Sequence, residues 1–317
     1  MKKAVKVVII VVVCLVVLIA AAAVFECNAL LNSSIGRASI QGALPADSTV
    51  QAVMAYASDH TYDQTYITSD DGLKLFGRIY KTAATTSTWI ITIHGYKSDS
   101  ADILDRSEAF VNQGYNVLAP DMRAHGNSEG AFTGMGWLDR KDVLDWINYI
   151  IGLDPDAKIV LYGVSMGGAT VMMTSGEDLP PNVVCAVEDC GYTSVHDEFS
   201  WQMTQQYSYL PHFPLFNIIS LLSKMRAGYS FEEASSVDQL AKCKIPMLFI
   251  HGDADTYVPF YMLQQNYDAD ADPDKQMLVV PGAKHAESYT VAPELYWNTV
   301  FSFLNKYGAP GAVAIYD

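Results

Sequence analysis

The stretch LYGVSMGGAT, residues 161–170, sets one serine between glycines, directly after a short apolar run and before a run of small residues. In the longer segment KIVLYGVSMGGAT the apolar run reads as a buried strand ending at Tyr162, and Gly167, Gly168 and Ala169 begin a helix. A sharp strand-to-helix turn lifts Ser165 out at the end of the strand, and glycines at 163 and 167 remove Cβ atoms that would clash there. The amino terminus of the helix aims backbone N–H groups at any anion formed beside Ser165. A G-x-S-x-G match alone is weak in a chain with 21 glycines. The strand before it and the helix after it make Ser165 a candidate nucleophile.

Outward from this turn the chain repeats the same alternation. TWIITIHG, YNVLAPD, KIVLYGVS, VVCAVEDCG, PMLFIHGD and QMLVVPGA are apolar runs of strand length, separated by segments of helical periodicity such as GWLDRKDVLDWINYIIG. Strands apolar throughout and alternating with helices imply an α/β fold, a mostly parallel sheet covered on both faces. Before them, two alternating segments around Asp71-Gly72 read as an antiparallel hairpin. Between DCGYTS and CKIPMLFIHG lies an interval of about 45 residues with no strand signal, rich in aromatic residues from Phe199 to Phe216. It reads as a small helical cap over the carboxyl edge of the sheet, where open α/β sheets bind ligands. PELYWNTVFSFLNKYG is a closing amphipathic helix with Gly308 as its stop.

The amino terminus has a different character. Lys2, Lys3 and Lys6 precede an uncharged apolar stretch from Val7 to Phe25, nearly long enough as a helix to cross a hydrocarbon layer of about 30 Å. It reads as a membrane anchor, with a cleaved secretory signal ending near Ala21–Ala23 as the competing reading. The positive-inside rule then places the rest of the chain outside the cytoplasm, as a single-pass protein or, after cleavage, a secreted one. The chain divides into this segment (1–27), a linker and amino-terminal helix (28–61), the main domain (62–308, cap at about 193–240) and a tail (309–317). A net charge of −15 argues against nucleic acid and anionic headgroups as partners. Of the five cysteines none shows metal-like spacing, and Cys185 and Cys190, flanking an apolar run, read as buried thiols.

A serine hydroxyl needs a base to take its proton and an acid to orient that base. His285, in the loop after the last strand (VVPGAKHAES), lies at the same sheet edge as Ser165 and is the best base. His94, His125 and His251 read as turn-shaping residues. For the acid, Asp255 stands on the loop HGDADTYVP after the penultimate strand, with Asp253 on the same turn as its rival. Acyl transfer also needs donors for an oxyanion. The backbone N–H groups of Met166, next after the serine, and of Tyr96, in HGYKS, are placed to supply them.

With these residues in view the chain resembles the α/β-hydrolase superfamily over roughly residues 66–307. It looks most like the bacterial serine aminopeptidase-like and esterase-like groups, with ITIHGYKSDS, DMRAHGNSEG, GVSMGGAT, HGDADTYVP and GAKHAES in family order. The resemblance implies the α/β-hydrolase fold with a cap and selects Asp255 over Asp253 through a pattern like HGxxDxxVP. The order Ser165, Asp255, His285 also follows the family. Asp121, Arg123 and Gly126 match what resembles a structural turn. The amino-terminal segment lies outside the family core.

The expectation is a serine hydrolase acting on small to medium carboxylic esters, with no metal or organic cofactor required. Peptidase or amidase action on short peptides is the runner-up, acyl transfer to an alcohol or amine a third reading. A non-catalytic ligand-binding protein on the same fold is the alternative of another class. The aromatic cap could hold an apolar acyl or aryl group or merely pack on the body.

Overall fold

The computed structural model describes residues 2–41 and 62–311, without the side chains of 2–4, 16, 19, 20 and 41. Residues 42–61 of the linker and amino-terminal helix expected over 28–61 lie outside them.

An eight-stranded sheet forms the centre, in the order β1-β2-β4-β3-β5-β6-β7-β8. β1 (Asp63–Thr68) and β2 (Lys74–Tyr80) make the hairpin, and β2 pairs antiparallel with β4 (Asn116–Pro120). β3 (Thr88–Ile93), β5 (Lys158–Val164), β6 (Val183–Asp189), β7 (Met247–Gly252) and β8 (Lys275–Val280) continue it in parallel.

The unbroken apolarity of the central strands has its cause in two covered faces. Ile159 and Leu161 of β5 enter one core layer, and Val160, Tyr162 and Val164 the other. The first layer is closed by α4 (Asp139–Leu153) through Val143 and Trp146, by α5 (Met166–Ser175), and by α9 (Tyr261–Ala269) through Met262 and Leu263. The second is closed by α3 (Leu104–Asn112) through Phe110 and by α11 (Pro293–Lys306) through Tyr296, Val300 and Phe303. Between β6 and β7 the chain makes α6 (Val195–Gln206), α7 (His212–Arg226) and the short α8 (Ser236–Leu240); α10 (Ser288–Val291) precedes α11.

The amino terminus corrects the sequence reading. α1 (Lys2–Ile35) continues through residues 28–35, and α2 (Arg37–Gln41) follows it. Among the described residues no helix is long and apolar enough to cross a membrane, so the single-pass anchor read at 7–25 and the extracytoplasmic location drawn from it are set aside. The helix does not end where the apolar run ends: it carries on into the body. There Cys27, Leu31 and Ile35, spaced by four and so on one stripe, are fully buried in the first core layer. The Ile35 carbonyl accepts from Thr133 N–H at 2.9 Å, and the Arg226 guanidinium donates to the side-chain carbonyls of Asn28 and Asn32.

Leu31→Ala should therefore cost about 2–5 kcal/mol, as for other fully buried leucines. Urea unfolding of the full chain measures this, and an unchanged midpoint would remove α1 from the core.

Candidate active site

The turn after β5 is built by exclusion. Ser165 adopts φ 58° and ψ −117°, a left-handed φ that a side-chain-bearing residue rarely takes. A Cβ on Gly163 would lie 2.1 Å from the Gly167 carbonyl oxygen, and one on Gly167 would lie 2.1 Å from that of Ile93. Only glycines let β5 reverse into α5 at this separation. Ser165 N–H donates to the Asp189 carbonyl on β6 at 2.8 Å, which pins the turn to the neighbouring strand.

The structure brings Ser165, His285 and Asp255 together, 120 and 30 residues apart in the chain. His285 Nε2 lies 2.8 Å from Ser165 Oγ, and His285 Nδ1 lies 2.7 Å from Asp255 Oδ2. An imidazole nitrogen facing a carboxylate carries the proton, which leaves Nε2 as the acceptor for the serine hydroxyl. Asp255 Oδ1 accepts from the backbone N–H groups of Tyr257 and Val258 at 2.8 and 3.1 Å, and Oδ2 also lies 3.2 Å from His251 Nε2. Burial pushes the Asp255 carboxyl up, but the hydrogen bonds from His251 and His285 outweigh it and bring it down to about 2. Asp253 stands apart, accepting from Gly282 N–H at 2.7 Å within its turn.

Gly95 packs on the serine: a Cβ there would lie 3.5 Å from Ser165 Cβ, so the Gly95–Tyr96 backbone runs beside the hydroxyl. Met166 is the first residue of α5, where a backbone N–H has no partner within the helix. His94 holds the loop from behind, with Nδ1 2.8 Å from the Gly95 carbonyl and Nε2 accepting from Met122 N–H at 2.9 Å. His125 Nδ1 likewise lies 2.9 Å from the Arg123 carbonyl. Arg123 itself joins Asp142 and Asp71, fastening the hairpin turn to α4.

A cavity of about 300 Å³ reaches Ser165 and His285, lined also by Tyr96, Ser98, Asp102 and Tyr257. The ligand atoms of Cys190, Asp255 and His285 lie within 4.8 Å of one another. The hydrogen bond between Asp255 and His285 already occupies the groups a metal would need, and burial pushes the Cys190 thiol well up. Cys185 is buried as well, its thiol pushed up to about 12 by burial.

Two contacts escaped the sequence reading. The Tyr257 ring lies 4.8 Å from the His285 ring, and His251 is a second partner for Asp255. Both sit within seven residues of Asp255, and nothing in their spacing marks which way they point.

Residues 84–208 match the serine aminopeptidase S33 family of hydrolases. Among solved structures, one crystal form of the Pyrococcus furiosus esterase Pf2001 superposes with a TM-score of 0.65 at 25% identity, covering 83% of this chain and 97% of its own. The chain has the α/β-hydrolase fold. An uncharacterised Bacillus subtilis protein, YqkD, is 29% identical over 226 residues, 70% of this chain and 72% of the relative. A lysophosphatidylserine lipase of Danio rerio is 27% identical over 161 residues, 49% of this chain and 39% of the lipase. These likenesses support a hydrolase.

Two outcomes follow from the geometry. Gly167→Ala should force the turn apart, because the new methyl meets backbone rather than a movable side chain; a soluble, folded variant with an unchanged melting temperature would contradict the close approach. The depressed Asp255 carboxyl contributes stability that is full above about pH 4 and is lost as pH falls toward about 2. The advantage of the parent over Asp255→Asn in urea should narrow by about 1 kcal/mol between pH 6 and pH 3, and a constant difference would show that the ion is not stabilised.

Proposed function

We propose that this α/β hydrolase is a serine hydrolase that cleaves carboxylic esters through an acyl-enzyme. The observation that carries the reading is the unbroken chain from Asp255 through His285 to Ser165, at 2.7 and 2.8 Å, beside an open cavity. His285 Nε2 takes the hydroxyl proton as Ser165 Oγ attacks the ester carbonyl, and Asp255 stabilises the imidazolium. The backbone N–H groups of Met166 and Tyr96 receive the oxyanion. As the carbonyl re-forms, the bond to the alcohol oxygen breaks and that oxygen takes the proton from His285. Water then repeats the sequence on the acyl-enzyme, giving the acid and free Ser165.

The likeness to an esterase structure supports ester substrates. The family match at residues 84–208 favours a second reading, a peptidase or amidase on short peptides with the same residues in the same roles.

Incubation with a fluorophosphonate probe should label the parent at Ser165 and leave Ser165→Ala unlabelled, with the modified peptide located by mass spectrometry. Ester hydrolysis should fall about 10⁴–10⁶-fold in Ser165→Ala and about 10⁴-fold in Asp255→Asn, while Asp253→Asn stays within about threefold of the parent. Equal labelling of parent and Ser165→Ala would sink the nucleophile, and a larger loss in Asp253→Asn would move the acid.

A further inference from the structure

A second cavity, of about 440 Å³, adjoins the one that reaches Ser165. Tyr96 and Tyr257 line both, so the two meet at the tyrosines that flank Ser165 and His285. Both linings are mixed: the cavity at Ser165 includes Ser98, Asp102 and Arg106, and the second carries Lys97, Gln202 and Gln206 beside an apolar group, Met203 of α6 and Leu215, Phe216 and Ile219 of α7. Leu30, Ser33 and Ser34 of α1, from outside the sheet and its covering helices, complete this lining.

Helical spacing explains how one helix serves both ends. Residues 27, 31 and 35 form the stripe buried in the core, and 30, 33 and 34 form the next stripe round, turned to the cavity. The wall is fastened at its inner end, because the Tyr96 hydroxyl donates to the Ser34 carbonyl.

We propose that α1 is a specificity element of the active site: Leu30, Ser33 and Ser34, together with α6 and α7, form the wall against which a straight acyl chain of the substrate lies. The inference rests on the serine-ester reading of Ser165. The acyl carbon sits at Ser165, the chain passes the two tyrosines and lies along the apolar side chains of the second cavity, and the alcohol portion occupies the cavity at Ser165. Burial of each methylene there is worth about fourfold in binding, so the wall acts on long acyl groups and leaves acetyl groups untouched.

The test compares hydrolysis of p-nitrophenyl acetate and p-nitrophenyl octanoate by the full chain and by Leu30→Trp and Ser33→Phe, with folding followed by circular dichroism. Ser33 is exposed and tolerates a larger side chain, so that variant keeps the test open where Leu30→Trp fails to fold. Either folded variant should lose about tenfold in kcat/KM on octanoate and stay within about twofold on acetate. Binding of a dansyl-labelled undecanoic acid to Ser165→Ala, alone and combined with each α1 change, scores the cavity without turnover and should weaken by a similar factor. Equal loss on both esters, or unchanged selectivity and unchanged probe binding in both variants, would overturn the role of α1. Absence of turnover of either ester by the folded parent would instead overturn the serine-ester reading, while weakened probe binding in the α1 variants would still support the wall.

Discussion

The separation of 2.1 Å between a notional Cβ on Gly167 and the carbonyl oxygen of Ile93 is the constraint on which the candidate site depends. It wedges the turn after β5 against the end of β3, while the hydrogen bond from Ser165 N–H to Asp189 ties the same turn to β6. A left-handed φ at a non-glycine residue costs on the order of 1–3 kcal/mol, and it persists only where the surroundings over-determine it. Here they do, because β3 and β7 are buried along their whole length and β5 and β6 along almost all of theirs. The loops that leave β7 and β8 at that edge then need only carry Asp255 and His285 to the height of Ser165.

Much of this was legible because parallel sheets write themselves plainly. A strand buried on both faces is a continuous apolar run, and each of the runs from TWIITIHG to QMLVVPGA contains or overlaps one of β3 to β8. Residues at the carboxyl ends of such strands share one edge whatever their distance in sequence, so Ser165, Asp255 and His285 could be grouped before any coordinates. The choice of Asp255 over Asp253 was not available from that rule, since both occupy one turn, and came from the family resemblance. The fate of α1 was hidden for a different reason. An apolar run of 19 residues dominates its amino-terminal part, and the docking residues Cys27, Leu31 and Ile35 lie beyond it in an unremarkable polar-mixed segment. Their role depends on a partner surface made by residues about 100 and 190 positions away, around Thr133 and Arg226.

Burial alone does not decide which carboxylates carry charge near the histidine. Burial pushes Glu198 up to about 8 and Glu188 well above the usual range, yet Asp255 ends at about 2 under the same pressure. The difference is the number of donors. Glu198 receives Gln202 on one oxygen and Glu188 receives Gly191 N–H on one, while their other oxygens are buried without a hydrogen-bond partner. Asp255 receives two backbone N–H groups and faces two imidazoles. Glu198 and Glu188 are thereby held toward the neutral form, while Asp255 keeps its charge against His285.

The end of α1 joins the fold to the site by the same accounting of donors and acceptors. The last four carbonyls of a helix have no partner within it and must be satisfied from outside. In α1 two of those partners come from the hydrolase body: Thr133 N–H for Ile35 and the Tyr96 hydroxyl for Ser34. The helix can end where it does only when the sheet and its loops are already in place. Tyr96, in turn, belongs to the loop whose backbone runs beside Ser165, so the bond that completes the helix also restrains that loop. A displacement of α1 would therefore be felt at the backbone facing Ser165 as well as in the cavity wall.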